Sequence, residues 1–275
     1  MDNDRCFKLK RDGYSCVKIE PKVYDLLTKE ELASKLSASL ISWQQDGIRG
    51  VWAEVDLIHS HLIPVFVENG FDYHHAKSNY VMMKKWISQK EPDTLPPYAS
   101  HYVGVGGFVL NDDNQLLVVQ ERFSCSPHWK LPGGHADLGE NIGETAEREV
   151  YEETGIRTKF QCVVAFRHMH QFRFGCSDFY FVCLMKPLTL EINRCQYEIA
   201  DARWLDLETY ISNPLVSAAN RHFAKCYLDM ITTGEHRILP AKVTRYTNKG
   251  YDLVYSLQDR CDDELPHESE TGFKL

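Results

Sequence analysis

The stretch that decides the fold is GHADLGENIGETAEREVYEETGI, residues 134–156. A glycine-rich loop leads into a short helix crowded with acidic residues. Asn141 is predicted to cap the start of the helix, with Glu144 three residues later at the reciprocal position of a capping box. Gly155 is predicted to end the helix, because glycine readily adopts the left-handed conformation that a helix C-terminus requires.

Three glutamates of this helix, Glu149, Glu152 and Glu153, lie close together on its surface. At about 100° per residue, spacings of three and four residues keep their side chains within an arc of roughly 100°. Like charges at that spacing repel each other, and a bound divalent cation removes the repulsion. Carboxylate oxygens suit a hard cation, so the sequence predicts a site for Mg²⁺ or Mn²⁺, ions that also bind the phosphates of substrates.

The same stretch follows a fixed pattern, a Nudix box, that resembles the signature of the Nudix hydrolases. These enzymes cleave nucleoside diphosphates that are linked to another moiety. All nine defined positions match at the required spacing, and they are Gly134, Glu140, Arg148, Glu149, Val150, Glu152, Glu153, Gly155 and Ile156.

Sequences on both sides of the Nudix box are similar to one branch of that family. WKLPGG at 129–134 and the stretch 167–183 resemble the plant cytosolic ADP-ribose/NADH Nudix hydrolases and the animal antisense basic fibroblast growth factor Nudix protein. The resemblance covers about residues 10–230. It implies an α/β fold: a Nudix α/β/α sandwich preceded by a small acetyltransferase-like α/β domain, often in a homodimer. For the first domain we expect a scaffold or dimer role.

Composition narrows the class of protein. The 275 residues allow one large domain or two ordinary ones, and 43% hydrophobic and 25% charged residues are typical of a soluble globular protein. A net charge of −8 disfavours general nucleic-acid binding. The nine scattered cysteines indicate a reducing compartment, so we expect a cytoplasmic location, with the nucleus as the alternative. Neither a leader peptide nor a membrane-spanning run is apparent.

The pattern of prolines and polar residues predicts the domain boundaries. Three prolines at 92, 96 and 97 mark a linker over residues 91–100. The remaining segments are a pre-Nudix domain at 1–90, the Nudix domain at 101–232, a possible hairpin extension at 233–257 and an acidic disordered tail at 258–275.

Local patterns predict individual elements of the first domain. Thr28 and Glu31 form a capping box at the start of one helix, and a second helix is predicted at 57–68. His74 and His75 are adjacent on a strand, where neighbouring side chains point to opposite faces, so ordinary polar or packed histidines are favoured over metal ligands.

Three glycines interrupt the first strand of the second domain. Gly104, Gly106 and Gly107 lie within a strand and not at a strand-to-helix turn, which argues against a dinucleotide-binding loop. Glycine in a strand interior instead indicates a close approach by backbone or by a ligand.

The catalytic machinery is predicted from the helix carboxylates. Glu149, Glu152 and Glu153 are the expected metal ligands, with one of them acting through water or as the base that orients the attacking water. The family resemblance adds a glycine carbonyl at the start of the Nudix box, Gly134 or Gly133. It also implies that Arg148 braces the loop through Glu140. Glu144 and Glu147 are expected to be solvent-facing helix charges.

Residues outside the Nudix box are the candidates for substrate binding. By family resemblance a further base or ligand comes from a later loop, and Glu198 is the candidate, with Glu191 as the alternative. Charge and donor capacity suit four side chains to phosphates or sugars: Lys130, Arg167, His168 and His170. An adenine ring could stack on one of three aromatic side chains: Trp129, Phe174 or Phe179.

The predicted function is Mg²⁺-dependent cleavage of the pyrophosphate in ADP-ribose or NADH, with release of AMP. The partner is therefore a nucleotide-sugar or dinucleotide. Two alternatives stay open: the same chemistry on coenzyme A or capped RNA, and a non-catalytic nucleotide-binding regulatory protein. The intact trio of glutamates counts against the second alternative.

Overall fold

The computed structural model describes residues 5–124, 127–233, 237–244 and 251–258. The chain divides into two compact units, Met1–Ala99 and Ser100–Leu275. Within the described residues, no helix is both long and apolar enough to cross a membrane.

The first unit is an α/β structure built on a four-stranded sheet in the order β1-β2-β4-β3. Only β1 and β2 run parallel; the other neighbours are antiparallel. Short 3₁₀ turns cover Pro21–Val23 and Leu57–Leu62. The remaining elements are β1 (Cys16–Ile19), α1 (Lys29–Gln45), β2 (Gly50–Asp56), α2 (Ile63–Glu68), β3 (Asp72–Ala76) and β4 (Tyr80–Trp86).

The start of α1 is as predicted, whereas the predicted helix at 57–68 is wrong in its first half. Thr28 and Glu31 form the reciprocal capping box, with bonds of 3.2 and 2.8 Å. The α-helix at 63–68 begins only after a 3₁₀ stretch, and Pro64 occupies its first turn. A proline ring clashes with the carbonyl four residues earlier, so a continuous α-helix cannot run through this position.

The prediction for the adjacent histidines of β3 is also wrong in its geometry. The pairing of β3 with β4 shifts register between Tyr73 and His75. Because such a bulge disturbs the alternation of side chains, the Nδ1 atoms of His74 and His75 approach to 2.7 Å. Tyr98 stacks on the His75 ring and meets the His74 ring edge-on, so both histidines are packed, as the sequence predicts.

The second unit contains a five-stranded sheet in the order β11-β10-β7-β8-β5 and a two-stranded sheet of β6 and β9. Only the β5–β8 pair is parallel. The strands are β5 (His101–Val109), β6 (Gln115–Glu121), β7 (Thr158–Arg173), β8 (Cys176–Pro187), β9 (Ile199–Asp206), β10 (Arg237–Thr244) and β11 (Tyr251–Gln258). The helices are α3 (Ile142–Thr154), α4 (Leu207–Ser212) and α5 (Ala218–Thr233).

Alternation along the strands divides the core of the second unit between two faces. Val105 of β5 and Cys183 of β8 pack with Val150 of α3 in one apolar cluster. Phe108 of β5 and Val182 of β8 belong to a second cluster, with side chains from α4 and α5. Helices therefore cover both faces of the sheet, and the predicted α/β/α sandwich is confirmed.

The C-terminal extension forms an antiparallel pair of strands, β10 and β11. In the described part of the chain, β10 joins the main sheet through the pair Ile238 and Val163. The predicted tail at 258–275 lies outside the described residues except for Gln258, which is the last residue of β11.

Candidate active site

The loop from Gly134 and the helix that follows it fold as their local signals predict. The Glu144 carboxylate accepts hydrogen bonds from the backbone N–H and the side-chain amide of Asn141, at 3.0 and 2.9 Å. Gly155 follows α3 with a φ of 73°, the left-handed conformation in which glycine carries no steric cost. The caps fix where α3 starts and stops, and so which way its glutamates face.

The Arg148 side chain makes hydrogen bonds to four residues of the loop and the helix. Its guanidinium binds both oxygens of Glu140, at 2.7 and 2.9 Å, and also the carbonyl of His135 at 3.0 Å. The same group donates to Glu149 at 2.9 Å and to Glu152 at 3.0 Å. The hydrogen bond from Arg148 is the main cause that lowers the pKa of Glu140 to about 2. Glu140 therefore stays ionised and holds the loop against the helix.

The three candidate metal ligands differ in how far their side chains are buried. The Glu149 and Glu153 side chains are 15% and 9% exposed, whereas Glu152 is 56% exposed. Residues four apart on a helix share a face, so Glu149 and Glu153 point inward together and Glu152 faces solvent. Burial is the main cause that raises the pKa of Glu149, and it raises that of Glu153 to about 7.

Glu149 and Glu153 of α3 lie against the backbone of Gly133 and Gly134, which carry no side chains. The segment carrying these glycines pairs with β5, where Val105 N–H donates to the Gly134 carbonyl at 2.8 Å. Gly133 N–H donates to Glu153 at 2.9 Å. A Cβ at Gly134 would lie 2.5–2.6 Å from all three atoms of the Glu149 carboxylate. A larger residue at this position would displace that carboxylate from where it lies.

Glu147, expected to be a solvent-facing charge, has a structural partner instead. Its carboxylate accepts a hydrogen bond from Phe160 N–H at 2.8 Å and lies 3.5 Å from Lys159. The expectation failed because the partner lies on β7, which the helix sequence does not reveal.

Lys130 brings a fourth carboxylate, Glu121, to the site. The Lys130 ammonium lies 2.5 Å from Glu121 and 3.9 Å from Glu153. Its hydrogen bond lowers the pKa of Glu121. Sequence reasoning missed Glu121 because its place depends on a bridge between Val119 and Lys130, a tertiary contact.

Glu198 lies beside Glu121 at the edge of the small sheet. Ile199, the next residue, pairs with Glu121, and the Glu198 carbonyl accepts a hydrogen bond from Arg122 N–H at 2.7 Å. The Glu198 side chain is exposed, as is that of Glu191, the alternative candidate. The register therefore places the backbone of Glu198 beside that of Glu121.

The candidate substrate ligands of β7 are divided between two faces of the sheet. Arg167 donates to Asp178 at 3.1 Å and lies over the Tyr180 ring. His168 instead stacks on Phe179, with ring centres 4.3 Å apart. Successive side chains of a strand point to opposite faces, so Arg167 and His168 do not form one cluster.

The other candidates near this strand lie farther along the hairpin. The His170 ring is 4.3 Å from that of His168, and its Nδ1 lies 2.9 Å from the Ser177 hydroxyl. Phe174 is 94% exposed at the tip of the hairpin. Trp129 is buried, with Arg203 over its ring.

Comparison with known proteins shows which family this chain belongs to. Residues 7–87 match the model of a Nudix hydrolase domain, and residues 100–226 match that of a NUDIX domain. The chain is 41% identical to Nudix hydrolase 2 of Arabidopsis thaliana over 231 residues, which cover 82% of each chain. The chain belongs to the Nudix hydrolase family. The predicted resemblance and the predicted class of enzyme, a hydrolase, are thereby confirmed.

Other members of the Nudix hydrolase family are similarly close. Nudix hydrolase 8 of Arabidopsis thaliana is 45% identical over 245 residues, which cover 86% of this chain and 65% of that relative. Nucleoside diphosphate-linked moiety X motif 6 of Xenopus laevis is 44% identical over 223 residues, which cover 79% of this chain and 100% of that relative.

Nudix hydrolases use divalent cations, and the donor set here fits a hard one. The carboxylates on the inner side of α3 are oxygen donors, and Gly134 leaves space beside Glu149. Within the described residues, no three His, Cys, Asp or Glu side chains already converge as a metal-binding group. Arg148 engages Glu149 and Glu152, so coordination by these two requires their hydrogen bonds to Arg148 to be shared or replaced.

The raised pKa of Glu153 makes the metal-free protein sensitive to pH. Its pKa is about 7 when folded, against about 4.3 in an unfolded chain, so the folded state binds the proton more tightly. The stabilisation of the folded state by this tighter proton binding is fully present below about pH 4.3 and is lost as the pH rises through 7. In EDTA, the free energy of unfolding should therefore fall from pH 5 to pH 8 by on the order of 3 kcal/mol more in the wild type than in Glu153→Gln. Urea unfolding at pH 5 and pH 8 measures this difference. An equal fall in the free energy of unfolding in the wild type and in Glu153→Gln would contradict the prediction.

Proposed function

We propose that this protein hydrolyses the pyrophosphate bond of ADP-ribose, NADH or both, with Mg²⁺ or Mn²⁺, and releases AMP. Water adds to one phosphorus, and the second product is ribose 5-phosphate or the reduced nicotinamide mononucleotide. The observation that carries the proposal is the inward-facing pair Glu149 and Glu153, set against the bare backbone of Gly134.

The α3 carboxylates and the loop glycine are the groups that would hold the metal. Glu149, Glu152 and Glu153 supply carboxylates, and the Gly134 carbonyl retains a second lone pair beyond its bond from Val105. When bound, the metal neutralises phosphate charge and makes water a better nucleophile. Glu198 is proposed as the further ligand or base, because it lies beside Glu121.

The substrate phosphates are assigned to the cationic side chains around this centre. Lys130 lies 3.9 Å from Glu153, so its ammonium can bind a phosphate held at the carboxylates. Arg167 is held by Asp178 on one face of the sheet.

A flat surface on the other face of the sheet can accept a nucleobase. His101, His168 and Phe179 stack there, with interplanar angles of 14–27°. Exposed His168 and the neighbouring His170 offer this surface and ring nitrogens to a base or ribose. The Phe174 ring is exposed at the hairpin tip and can stack on the same ligand.

Direct assay tests the proposal. The full chain with Mg²⁺ should release AMP from ADP-ribose or NADH, measured by chromatography of the products. EDTA should abolish the release, and added Mg²⁺ or Mn²⁺ should restore it. The same assay with coenzyme A, dinucleoside polyphosphates and capped RNA measures the alternative substrates. No turnover across the whole panel would overturn the enzymatic function and favour a nucleotide-binding regulatory protein.

The cellular setting stays a prediction from the sequence and the family resemblance. A homodimer and a cytoplasmic location are expected, and size-exclusion chromatography with light scattering measures the first. The acidic net charge of −8 disfavours nucleic acid as a partner.

A further inference from the structure

Tyr180 of β8 lies across Gly104 and Gly106, two of the three strand glycines for which a close approach is predicted. Gly104 pairs with Tyr180 in the parallel register of β5 and β8. A Cβ at Gly106 would lie 2.2 Å from the Tyr180 hydroxyl oxygen, and one at Gly104 would lie 3.2 Å from Cδ2 of its ring. Gly106 is therefore required by the hydroxyl, since any larger residue would push it away.

Close packing of glycine backbone places the Tyr180 hydroxyl near the carboxylate centre. The Cα of Gly106 lies 2.8 Å from the position of a Cβ on Gly133. Gly133 N–H in turn donates to Glu153. Tyr180, Gly106, Gly133 and Glu153 thus follow one another in space, although they come from four separate segments.

The Tyr180 hydroxyl is available as a donor. It has no hydrogen-bond partner among the described residues, and the side chain is only half-buried. Burial, and then the nearby Glu153 charge, raise the pKa of Tyr180, so its hydroxyl keeps its proton at neutral pH. Phosphate oxygens are strong acceptors for such a donor.

The ring of Tyr180 is held in place on several sides. The Arg167 guanidinium lies 5.3 Å from the ring centre and is itself held by Asp178, which is 2% exposed. The ring of Phe223 lies 6.2 Å away. A donor fixed in this way loses little freedom when a ligand binds, which favours binding.

We propose that the Tyr180 hydroxyl contacts the substrate and donates a hydrogen bond to a phosphate oxygen of the bound nucleoside diphosphate. The inference rests on the proposed function, because it places the phosphates at Glu153. The competing explanation is that Tyr180 only packs against Gly104 and Gly106, in which case its hydroxyl is expendable.

The variant Tyr180→Phe separates these explanations, because it keeps the ring and removes only the hydroxyl. With Mg²⁺ present, kcat/KM should fall about 10-fold, mainly through KM, and the affinity for ADP in calorimetric titration should fall by a similar factor. Tyr210→Phe is the matched control: its hydroxyl likewise has no hydrogen-bond partner among the described residues, but it is fully buried in the core. That variant should stay within about 2-fold of wild type in both measurements.

The outcomes are distinguishable from failure of the proposed function. If the wild type hydrolyses none of the substrates but Tyr180→Phe binds ADP about 10-fold more weakly, the hydroxyl contact stands and the proposed function fails. Unchanged KM and unchanged ADP affinity in Tyr180→Phe would overturn the contact, as would a wild type that does not bind ADP. Thermal melts of both variants fix the assay temperature well below either transition, so that unfolding cannot imitate a lost contact.

Discussion

Replacing Glu153 with glutamine should lower kcat about 100-fold or more while the protein stays folded. The amide is almost the size of the carboxylate, and its oxygen can still accept the Gly133 N–H that Glu153 binds at 2.9 Å. What disappears is the negative charge that would bind the divalent cation in the proposed function. The side chain is only 9% exposed, so solvent does little to replace that charge.

Steady-state kinetics with Mg²⁺ and the best substrate of the panel measure this loss. The control is Glu147→Gln on the same helix, whose carboxylate accepts from Phe160 N–H and lies 3.5 Å from Lys159, neither of which is a candidate site residue. Glutamine preserves that acceptor, so kcat should stay within about 2-fold of wild type. A kcat for Glu153→Gln equal to that of the control, at an unchanged melting temperature, would remove Glu153 from the metal centre.

The features that the sequence predicts well depend on near neighbours along the chain. The limits of α3 follow from Asn141, Glu144 and Gly155, all within the helix or next to it. Spacing by four residues also places Glu149 and Glu153 on one face, where Glu153 is buried and Glu149 is mostly buried. Such signals need no knowledge of how distant segments pack.

The parts that sequence reasoning misses depend on distant partners. Glu121 reaches Lys130 only because of a strand bridge, and Tyr180 reaches the site only because Gly106 lies beneath it. Arg167 and His168 are neighbours in sequence, which suggests one subsite, but strand alternation sends them to opposite faces. Register and sheet order decide these positions, and neither can be read from local spacing.

Gly134→Ala should have the second large effect, a fall in kcat of about 100-fold with little change in stability. The added Cβ would lie 2.5–2.6 Å from the Glu149 carboxylate, well inside van der Waals contact. The backbone of Gly134 is outside the left-handed region, so alanine adds no conformational strain there. The flexible end of Glu149 must therefore move, and a displacement of about 1 Å in a catalytic group can cost two orders of magnitude.

The matched control for this loop variant is Gly13→Ala, because a Cβ at Gly13 has open space within 4 Å and its backbone is also outside the left-handed region. Kinetics and thermal melts of both variants separate steric displacement from a general cost of losing glycine. If Gly134→Ala keeps kcat within about 3-fold of wild type, Glu149 tolerates the shift and does not hold the metal. A large fall in kcat at a constant melting temperature instead ties the glycine of the loop to one carboxylate of the helix, which is why the loop and the helix act as a single site.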